Sequence, residues 1–148
     1  MEKESIKKHL IRIGPSLFAR YEIELAYLFG SANSGRFTAQ SDIDIAVQFK
    51  PMPTKNDFLR LSALLQTELT KLLQWKVDVA VLNLANSLLR YEVVKNGAVI
   101  FSIDEEQRAL FHIRVYRDYE DFCHVQNFYI QALRERLKQV PHESPCRL

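Results

Sequence analysis

The sequence predicts an α/β (α+β) fold, in which helices flank a mixed β-sheet and a long C-terminal helical extension follows. Three observations predict it. Short apolar runs of strand length, separated by glycine, proline and polar residues, alternate with segments whose apolar residues recur at helical spacing. One such helical segment leads from the second strand to the third, as a crossover connection does. Beyond residue 103 only the helical spacing remains.

The first part of the chain is predicted to contain one helix and two strands. Helical spacing indicates a helix at 2–16, which Pro15 is expected to end. The first strand is predicted at 21–29, and it becomes fully apolar as a central strand would be. A polar loop reaches Ser41, and the second strand is predicted at 42–49. The two prolines beyond it cannot continue a β-ladder.

Two further helices and two further strands are predicted up to residue 102. Thr54 or Asn56 is expected to cap the first of these helices, and the third strand is predicted at 76–82. Another helix is predicted at 84–95, followed by a fourth strand at 98–102. The apolar side of the helix after Thr54 is predicted to contain Phe58, Leu61, Leu65, Leu69 and Leu72.

One long helical run is predicted at 104–139. About 35 residues at 1.5 Å each would span roughly 50 Å, which is longer than a small sheet can cover. Its aromatic residues resemble the composition of protein interfaces, so we expect a partner-binding extension. The predicted domains are 1–103 for the sheet domain, 104–140 for the extension and 141–148 for a tail. The predicted apolar stripe of the run contains Leu110, Ile113, Tyr116, Phe122, Val125, Tyr129 and Leu133.

Composition and charge exclude several classes of protein. The 148 residues are enough for one domain that buries about 70% of the surface its unfolded chain exposes. A net charge of +2 is too small to predict nucleic-acid binding, and no secretory signal or 18-residue apolar run is present. We therefore expect a cytoplasmic protein that binds neither a membrane nor, directly, a nucleic acid.

Two aspartates, Asp42 and Asp44, open the second predicted strand. Side chains of a strand alternate between faces, so both carboxylates share one face while Ile43, Ile45 and Val47 share the other. Two carboxylates at this separation repel each other unless a cation lies between them. Oxygen ligands select hard cations such as Mg²⁺ or Mn²⁺, so the pair predicts a metal site.

Further residues complete a candidate site. Asp78 lies on the third predicted strand, and adjacent strands would bring three carboxylates together, enough for the two metal ions used in displacement at phosphorus. Gly30 and Ser31 directly follow the first strand. Glycine lets the backbone approach closely, and consecutive N–H groups with a hydroxyl can face an anion, so we predict that this turn binds phosphate.

This pattern resembles that of a known superfamily. Gly30 and Ser31, ten further residues, Asp42 and Asp44, and then Asp78 on a later strand are similar to the nucleotidyltransferase superfamily. The short chain is similar to its minimal nucleotidyltransferase (MNT) group. Within this group it most resembles the MntA-like antitoxins of type VII toxin–antitoxin pairs, whose partner is a HepT-like toxin of the HEPN ribonuclease class.

One departure from the family pattern concerns the phosphate-binding turn. Members commonly read G-S-x-A-R-G, whereas Asn33 and Ser34 stand where alanine and arginine are usual. Arg36 lies two positions later and is our candidate for the missing positive charge.

The resemblance implies a nucleotidyltransferase-like fold and the transfer of AMP from ATP to a tyrosine of the HEPN toxin, with release of pyrophosphate. Asp42 and Asp44 would bridge two Mg²⁺ ions, with Mn²⁺ as a substitute, and one ion would also bind phosphates beside Gly30 and Ser31. Asp78 would complete the other metal and take the hydroxyl proton. The chain would act as an antitoxin in a hetero-oligomer with its toxin.

Two other functions share these residues. A nucleotidyltransferase for a small molecule, such as an aminoglycoside, would use the same three aspartates, but so short a chain shows no separate substrate domain. A toxin-binding module without catalysis would neutralise by contact alone, and the three intact carboxylates argue against it.

Overall fold

The computed structural model describes residues 3–137, with side chains from residue 5 onwards. Within this range the chain forms five α-helices and four β-strands. In chain order they are α1 (Lys3–Arg20), β1 (Ile23–Phe29), α2 (Ser31–Ser34), β2 (Ile43–Phe49), α3 (Lys55–Leu73), β3 (Val77–Val81), a 3₁₀ turn (Leu82–Leu84), α4 (Ser87–Asn96), β4 (Ala98–Ser102) and α5 (Glu105–Leu137). The predicted fold class is confirmed.

The sheet is mixed and has the strand order β3-β2-β1-β4. β1 pairs antiparallel with β2 and with β4, whereas β2 and β3 run parallel. A parallel pair needs a long crossover connection, and α3 supplies it between β2 and β3. β2 therefore lies between the strand that precedes the Gly30 turn and the strand that carries Asp78.

Each face of the sheet is covered by its own hydrophobic layer. α1 and α3 pack on the face that carries Ile43, Ile45 and Val47, all of which are fully buried. α4 and the first half of α5 cover the other face, where Ala46 is buried. The alternation along β2 places Asp44 on this second face, where it stays only partly buried.

α1 continues through Pro15 to Arg20, so the prediction that Pro15 ends this helix was wrong. Proline has no N–H and leaves the carbonyl four residues earlier without its helical donor. That residue, Ile11, is 46% exposed, so water can solvate its carbonyl group. Beyond the proline, Leu17 and Phe18 are buried against the sheet, and their burial offsets the lost hydrogen bond.

α3 begins after Thr54, whose hydroxyl oxygen accepts the N–H of Asp57 at 3.3 Å. Thr54 is thus the cap among the two predicted candidates. Leu65 and Leu69 are buried as predicted, but Leu72 is 49% exposed, and the next buried residue is Leu73. Helical spacing explains the error, because a step of four residues from Leu69 leads to Leu73 on the same face.

α5 is one continuous helix of 33 residues, about 50 Å long. The predicted stripe is not its buried side, because Ile113, Val125 and Tyr129 are 63%, 66% and 61% exposed. Apolar residues occur all round this helix, so spacing alone did not identify the side that meets the rest of the chain. The buried side consists of Phe111, Val115, Tyr119 and Cys123.

The structure leaves some predictions for the C-terminal part untested. The last residues of the predicted helical run and the predicted tail at 141–148 lie outside the described residues. The predicted domain boundaries stay predictions. No helix among residues 3–137 combines the length and the apolar character that crossing a membrane would need.

Tyr27 of β1 and His112 of α5 connect the sheet to the long helix. Their side chains form a hydrogen bond of 2.5 Å between Oη and Nε2. Burial raises the pKa of Tyr27, so its hydroxyl keeps its proton at neutral pH. Burial also lowers the pKa of His112, the Arg108 guanidinium lowers it further, and only Glu105 opposes the shift. The imidazole is therefore held in its neutral form.

This pair makes stability depend on pH. The unfolded chain takes up a proton below about pH 6.5, the ordinary pKa of histidine, whereas folded His112 resists it. Stability is therefore fully present above about pH 6.5 and is lost as the pH falls from there through the lower pKa of folded His112. The slope is a fraction of the roughly 1.4 kcal/mol per pH unit that a whole proton would give, because the ring is partly exposed.

Urea unfolding at about pH 7.5 and about pH 5.5 measures this effect. We expect His112→Gln to reduce the difference in stability between the two pH values. His124→Gln is the matched control, because His124 lies at an exposed position of the same helix. An equal pH dependence in wild type and His112→Gln would contradict the assignment.

Candidate active site

The turn after β1 brings the backbone of Gly30 against a carboxylate. β1 ends at Phe29, which pairs with Asp44 of β2. Gly30 has φ 67° and ψ −150°, a conformation that glycine adopts and other residues rarely do. A Cβ atom at this position would overlap Oδ2 of Asp44. Glycine is thus required at residue 30 both by its dihedral angles and by the room that Asp44 occupies.

Asp44 and Asp78 are partners across the parallel pair of β2 and β3. Paired residues on adjacent strands point to the same face, so the two carboxylates lie side by side. Burial raises the pKa of Asp44, and the negative charges of Asp78 and Asp42 raise it further. The Lys76 ammonium lowers it, but as the smallest of these effects. The structure thus brings together the three aspartates that the sequence singled out.

Asp42 forms an ion pair with Lys76, with 2.7 Å between Oδ2 and Nζ. The backbone around this pair is held on both sides. The N–H of Ile43 donates to the carbonyl of Lys76 at 2.9 Å, and the indole N–H of Trp75 donates to the carbonyl of Ser41 at 2.7 Å. The beginnings of β2 and β3 are therefore fastened together where their charged side chains meet.

The three carboxylates fit a hard divalent cation by their chemistry. They offer only oxygen ligands, which Mg²⁺ and Mn²⁺ prefer, and a cation would relieve the repulsion that raises the pKa of Asp44. Across the described residues, no three His, Cys, Asp or Glu side chains are arranged to hold a metal ion by themselves. Mg²⁺ would therefore need further oxygen ligands, which it usually takes from water and substrate phosphates.

A cleft of about 530 Å³ opens beside Gly30, within the size range of small-molecule sites. Arg36 is exposed and is the one cationic side chain among the described residues of its lining. Ser31 begins α2, but it is not part of this lining. Gly30 belongs both to the cleft and to the surroundings of Asp44. The lining consists of Phe29, Gly30, Asn33, Ser34, Arg36, Glu92 and Asn96.

Two residues of this cleft, Glu92 and Asn96, were not predicted from the sequence. They lie on α4, belong to no motif, and reach the site only because α4 packs beside the α2 turn. Asn33 makes the connection, since its Nδ2 donates to the carbonyl of Asn96 at 2.5 Å. The asparagine that replaces the usual alanine thus attaches the turn to the end of α4.

A second cavity of about 480 Å³ lies at the other end of the same sheet face, beside Gln48. Its Arg90 guanidinium donates to the carbonyls of Leu82 and Asn83 at 2.8 Å and 3.1 Å, so this side chain holds the 3₁₀ turn in place. Its lining includes a single carboxylate, Asp118. It lacks the group of carboxylates that adjoins the first cleft.

Comparison with known families supports this reading of the residues. Residues 15–106, more than half of the chain, match the family described as "Polymerase beta, Nucleotidyltransferase". The matched segment contains the Gly30 turn and all three aspartates. Comparison with curated proteins finds no match.

Several solved structures share the fold. A chain of a toxin–antitoxin with AMP-PNP has a TM-score of 0.68 at 24% identity, over 83% of this chain and 97% of that chain. A chain of the tri-AMPylated Shewanella oneidensis HEPN toxin in complex with MNT antitoxin has 0.63 at 22%, over 86% and 98%. A structure assigned to a minimal nucleotidyltransferase has 0.52 at 28%, over 66% and 95%. The predicted nucleotidyltransferase-like fold is confirmed.

Replacing Asp44 tests whether the neighbouring carboxylates of this site repel each other. Asp44→Asn is expected to stabilise the metal-free protein by at most about 1 kcal/mol, a small gain since solvent screens the charge of this partly exposed carboxylate. The physical reason is that the amide removes a charge disfavoured by burial and by its two neighbours. Chemical denaturation in the presence of a chelator measures it.

Asp121→Asn is the matched control, because it removes a carboxylate from an exposed position of α5. Its effect should stay within about 0.5 kcal/mol. If Asp44→Asn were less stable than wild type while the stability of Asp121→Asn was unchanged, the ionised Asp44 carboxylate would be stabilising the metal-free fold. The prediction would then be wrong.

Proposed function

Because the chain belongs to the polymerase beta nucleotidyltransferase family, we propose that it transfers AMP from ATP to a tyrosine of a HEPN (HepT-like) ribonuclease toxin and so neutralises the toxin. The chain would be the antitoxin of a hetero-oligomeric pair in the cytoplasm. One observation carries nucleotidyl transfer: Gly30, Asp44 and Asp78 meet at the same place on the sheet, with Asp42 two residues from Asp44.

The acceptor and the nucleotide are supported by the structures that share the fold. One is a toxin–antitoxin with AMP-PNP, and another contains a tri-AMPylated HEPN toxin with its MNT antitoxin. We place ATP in the cleft beside Gly30, because its size suits a nucleotide and its lining includes Gly30, which lies against the Asp44 carboxylate. Gly30, Ser31 and Arg36 are the proposed phosphate-binding residues. Arg36 lies in the cleft lining and can move to an anion, since its side chain is exposed.

In the proposed reaction the hydroxyl oxygen of the tyrosine forms a bond to the α-phosphorus of ATP. The bond from that phosphorus to the bridging oxygen of the β-phosphate breaks, and pyrophosphate leaves. Asp78 is the proposed acceptor of the hydroxyl proton. When bound by Asp42, Asp44 and Asp78, Mg²⁺ would neutralise phosphate charge and lower the pKa of the attacking hydroxyl. Because Gly30 has no Cβ, no side chain of residue 30 enters the space beside the Asp44 carboxylate.

The toxin would bind along α5. This helix exposes apolar and aromatic side chains that include Tyr116, Phe128 and Tyr129, which are 46%, 75% and 61% exposed. Aromatic residues at this density are typical of the centres of protein interfaces. The proposed partner-binding extension is 104–140, of which the structure describes the part up to residue 137. Its first half also belongs to the hydrophobic layer over the sheet.

Intact-mass spectrometry of the toxin encoded beside this chain tests the catalytic proposal. After incubation with the chain, ATP and Mg²⁺, the toxin should gain the mass of one or more AMP groups. Asp42→Ala and Asp44→Asn should each slow this gain at least about 100-fold, because metal stabilisation is worth several kcal/mol. Glu22→Gln, which removes an exposed carboxylate outside α5, should leave the rate unchanged.

The outcomes separate the alternatives. A toxin that co-purifies tightly with the chain but gains no mass would contradict AMP transfer to that toxin. If the variant lacking all three carboxylates still silenced such a toxin, the chain would act by binding alone. Consumption of ATP that depends on an added small molecule, with no change in the toxin, would instead support a small-molecule acceptor.

The partner surface has its own test. Phe128→Asp should abolish co-purification with the toxin, because it places a charge where an apolar contact is proposed, while the melting temperature of the chain alone stays unchanged. Ala63→Asp is the matched control and should leave co-purification unchanged, since it adds the same charge at an exposed position of α3, on the sheet face opposite α5. Undiminished binding by Phe128→Asp would show that the toxin does not use this side of α5.

A further inference from the structure

Lys76 holds an exposed ammonium group against the candidate metal site. Its Nζ lies 2.7 Å from Oδ2 of Asp42, yet the side chain is 69% exposed. The hydrogen bond to Asp42 raises the pKa of Lys76, and the charges of Asp42, Asp78 and Asp44 all act in the same direction. The ammonium is thus paired with one of the three carboxylates that would hold a cation.

The backbone of Lys76 is fixed while its side chain is not. Its carbonyl accepts the N–H of Ile43, and its neighbour Trp75 is held by the carbonyl of Ser41 and by contact with the Phe37 ring. The ammonium is therefore kept near Asp42 by the start of β3. An exposed ion pair contributes little, so a stronger cation can displace the ammonium without disturbing the sheet.

We infer that Lys76 is an internal counter-ion that occupies Asp42 until a divalent metal ion displaces it, so that Lys76 weakens the binding of metal alone. This inference rests on the proposed function, since it concerns the same carboxylates. Two effects act together: the metal must break the ion pair, and a nearby ammonium repels a divalent cation. The phosphates of a nucleotide reverse the second effect, because an ammonium attracts them.

The consequence is an order of binding. Without nucleotide, Lys76 competes with the metal for Asp42, and the protein binds the free ion weakly. When the metal ion binds together with a nucleotide, the displaced Lys76 ammonium lies beside the negatively charged phosphates, which attract it. Lys76 thereby couples metal binding to nucleotide binding, and it acts through Asp42 as a positioning residue.

Titration of the metal-free chain with Mg²⁺ alone, followed by calorimetry and by Trp75 fluorescence, tests this inference. Trp75 is the only tryptophan of the chain and is the neighbour of Lys76. Lys76→Met should bind Mg²⁺ at least about fivefold more tightly, because the metal no longer competes with the ammonium for Asp42. Lys76→Arg should bind like wild type, because it keeps the charge.

Lys50→Met is the matched control. Lys50 also forms a surface ion pair, with 3.2 Å between its Nζ and Oε2 of Glu22, but it lies at the other end of β2. Its removal should leave Mg²⁺ affinity unchanged. Thermal unfolding gives an independent readout, because at a fixed concentration a ligand that binds the folded chain more tightly stabilises it more. The rise in melting temperature on adding Mg²⁺ should therefore be larger in Lys76→Met than in wild type.

The two proposals fail in different ways. Mg²⁺ affinity that is equal or weaker in Lys76→Met, with binding intact in wild type, would overturn the counter-ion role and leave the proposed function standing. Absence of Mg²⁺ binding in wild type and in Lys76→Met, with and without a non-hydrolysable ATP analogue, would overturn both. Tighter binding in Lys76→Met together with unchanged binding in Lys50→Met and Lys76→Arg would establish the inference.

Discussion

The close contact between the Gly30 backbone and the Asp44 carboxylate is the constraint on which the rest of the structure depends. It exists because the antiparallel register of β1 and β2 sets Phe29 opposite Asp44, and because residue 30 has no Cβ. The parallel register of β2 and β3 then sets Asp78 beside Asp44. A shift of either register by one residue would turn one carboxylate to the opposite face, which is filled with apolar side chains. The position of the site is therefore fixed by strand pairing.

Such a group of carboxylates lowers the stability of the fold, and hydrophobic packing in other parts of the fold compensates for the loss. Burial and two neighbouring carboxylates act against the ionised form of Asp44, and among the described residues the Lys76 ammonium offsets them in part. Two hydrophobic layers, one on each face of the sheet, hold the strands in place against this repulsion. Proteins retain unfavourable charges of this kind at sites where a ligand brings the compensating charge. The unequal distribution of apolar and charged residues along β2 is thus a functional feature.

Features that depend on the alternation of side chains along a strand could be predicted from the sequence. Features that depend on packing between residues far apart in the chain could not. The parity of Asp42, Asp44 and Asp78 against their apolar neighbours was enough to predict the sheet face that they share. Pro15 was misjudged because a rule about local hydrogen bonding was overridden by the burial of residues beyond it. The buried side of α5 could not be identified from the spacing of its apolar residues, because they occur on all sides of that helix. The roles of Glu92 and Asn96 depend on where α4 lies, which no local pattern specifies.

α4 relates the candidate site to the long helix. One side of it carries Glu92 and Asn96, which line the cleft beside Gly30. Another carries Tyr91, whose ring stacks on Tyr119 of α5 with 3.7 Å between centroids and 5° between planes. Stacked aromatic rings and a shared hydrophobic layer make α4 and the first half of α5 one packed unit. The position of the cleft wall therefore depends on the position of α5, and the helix that exposes the apolar surface is also part of what shapes the site.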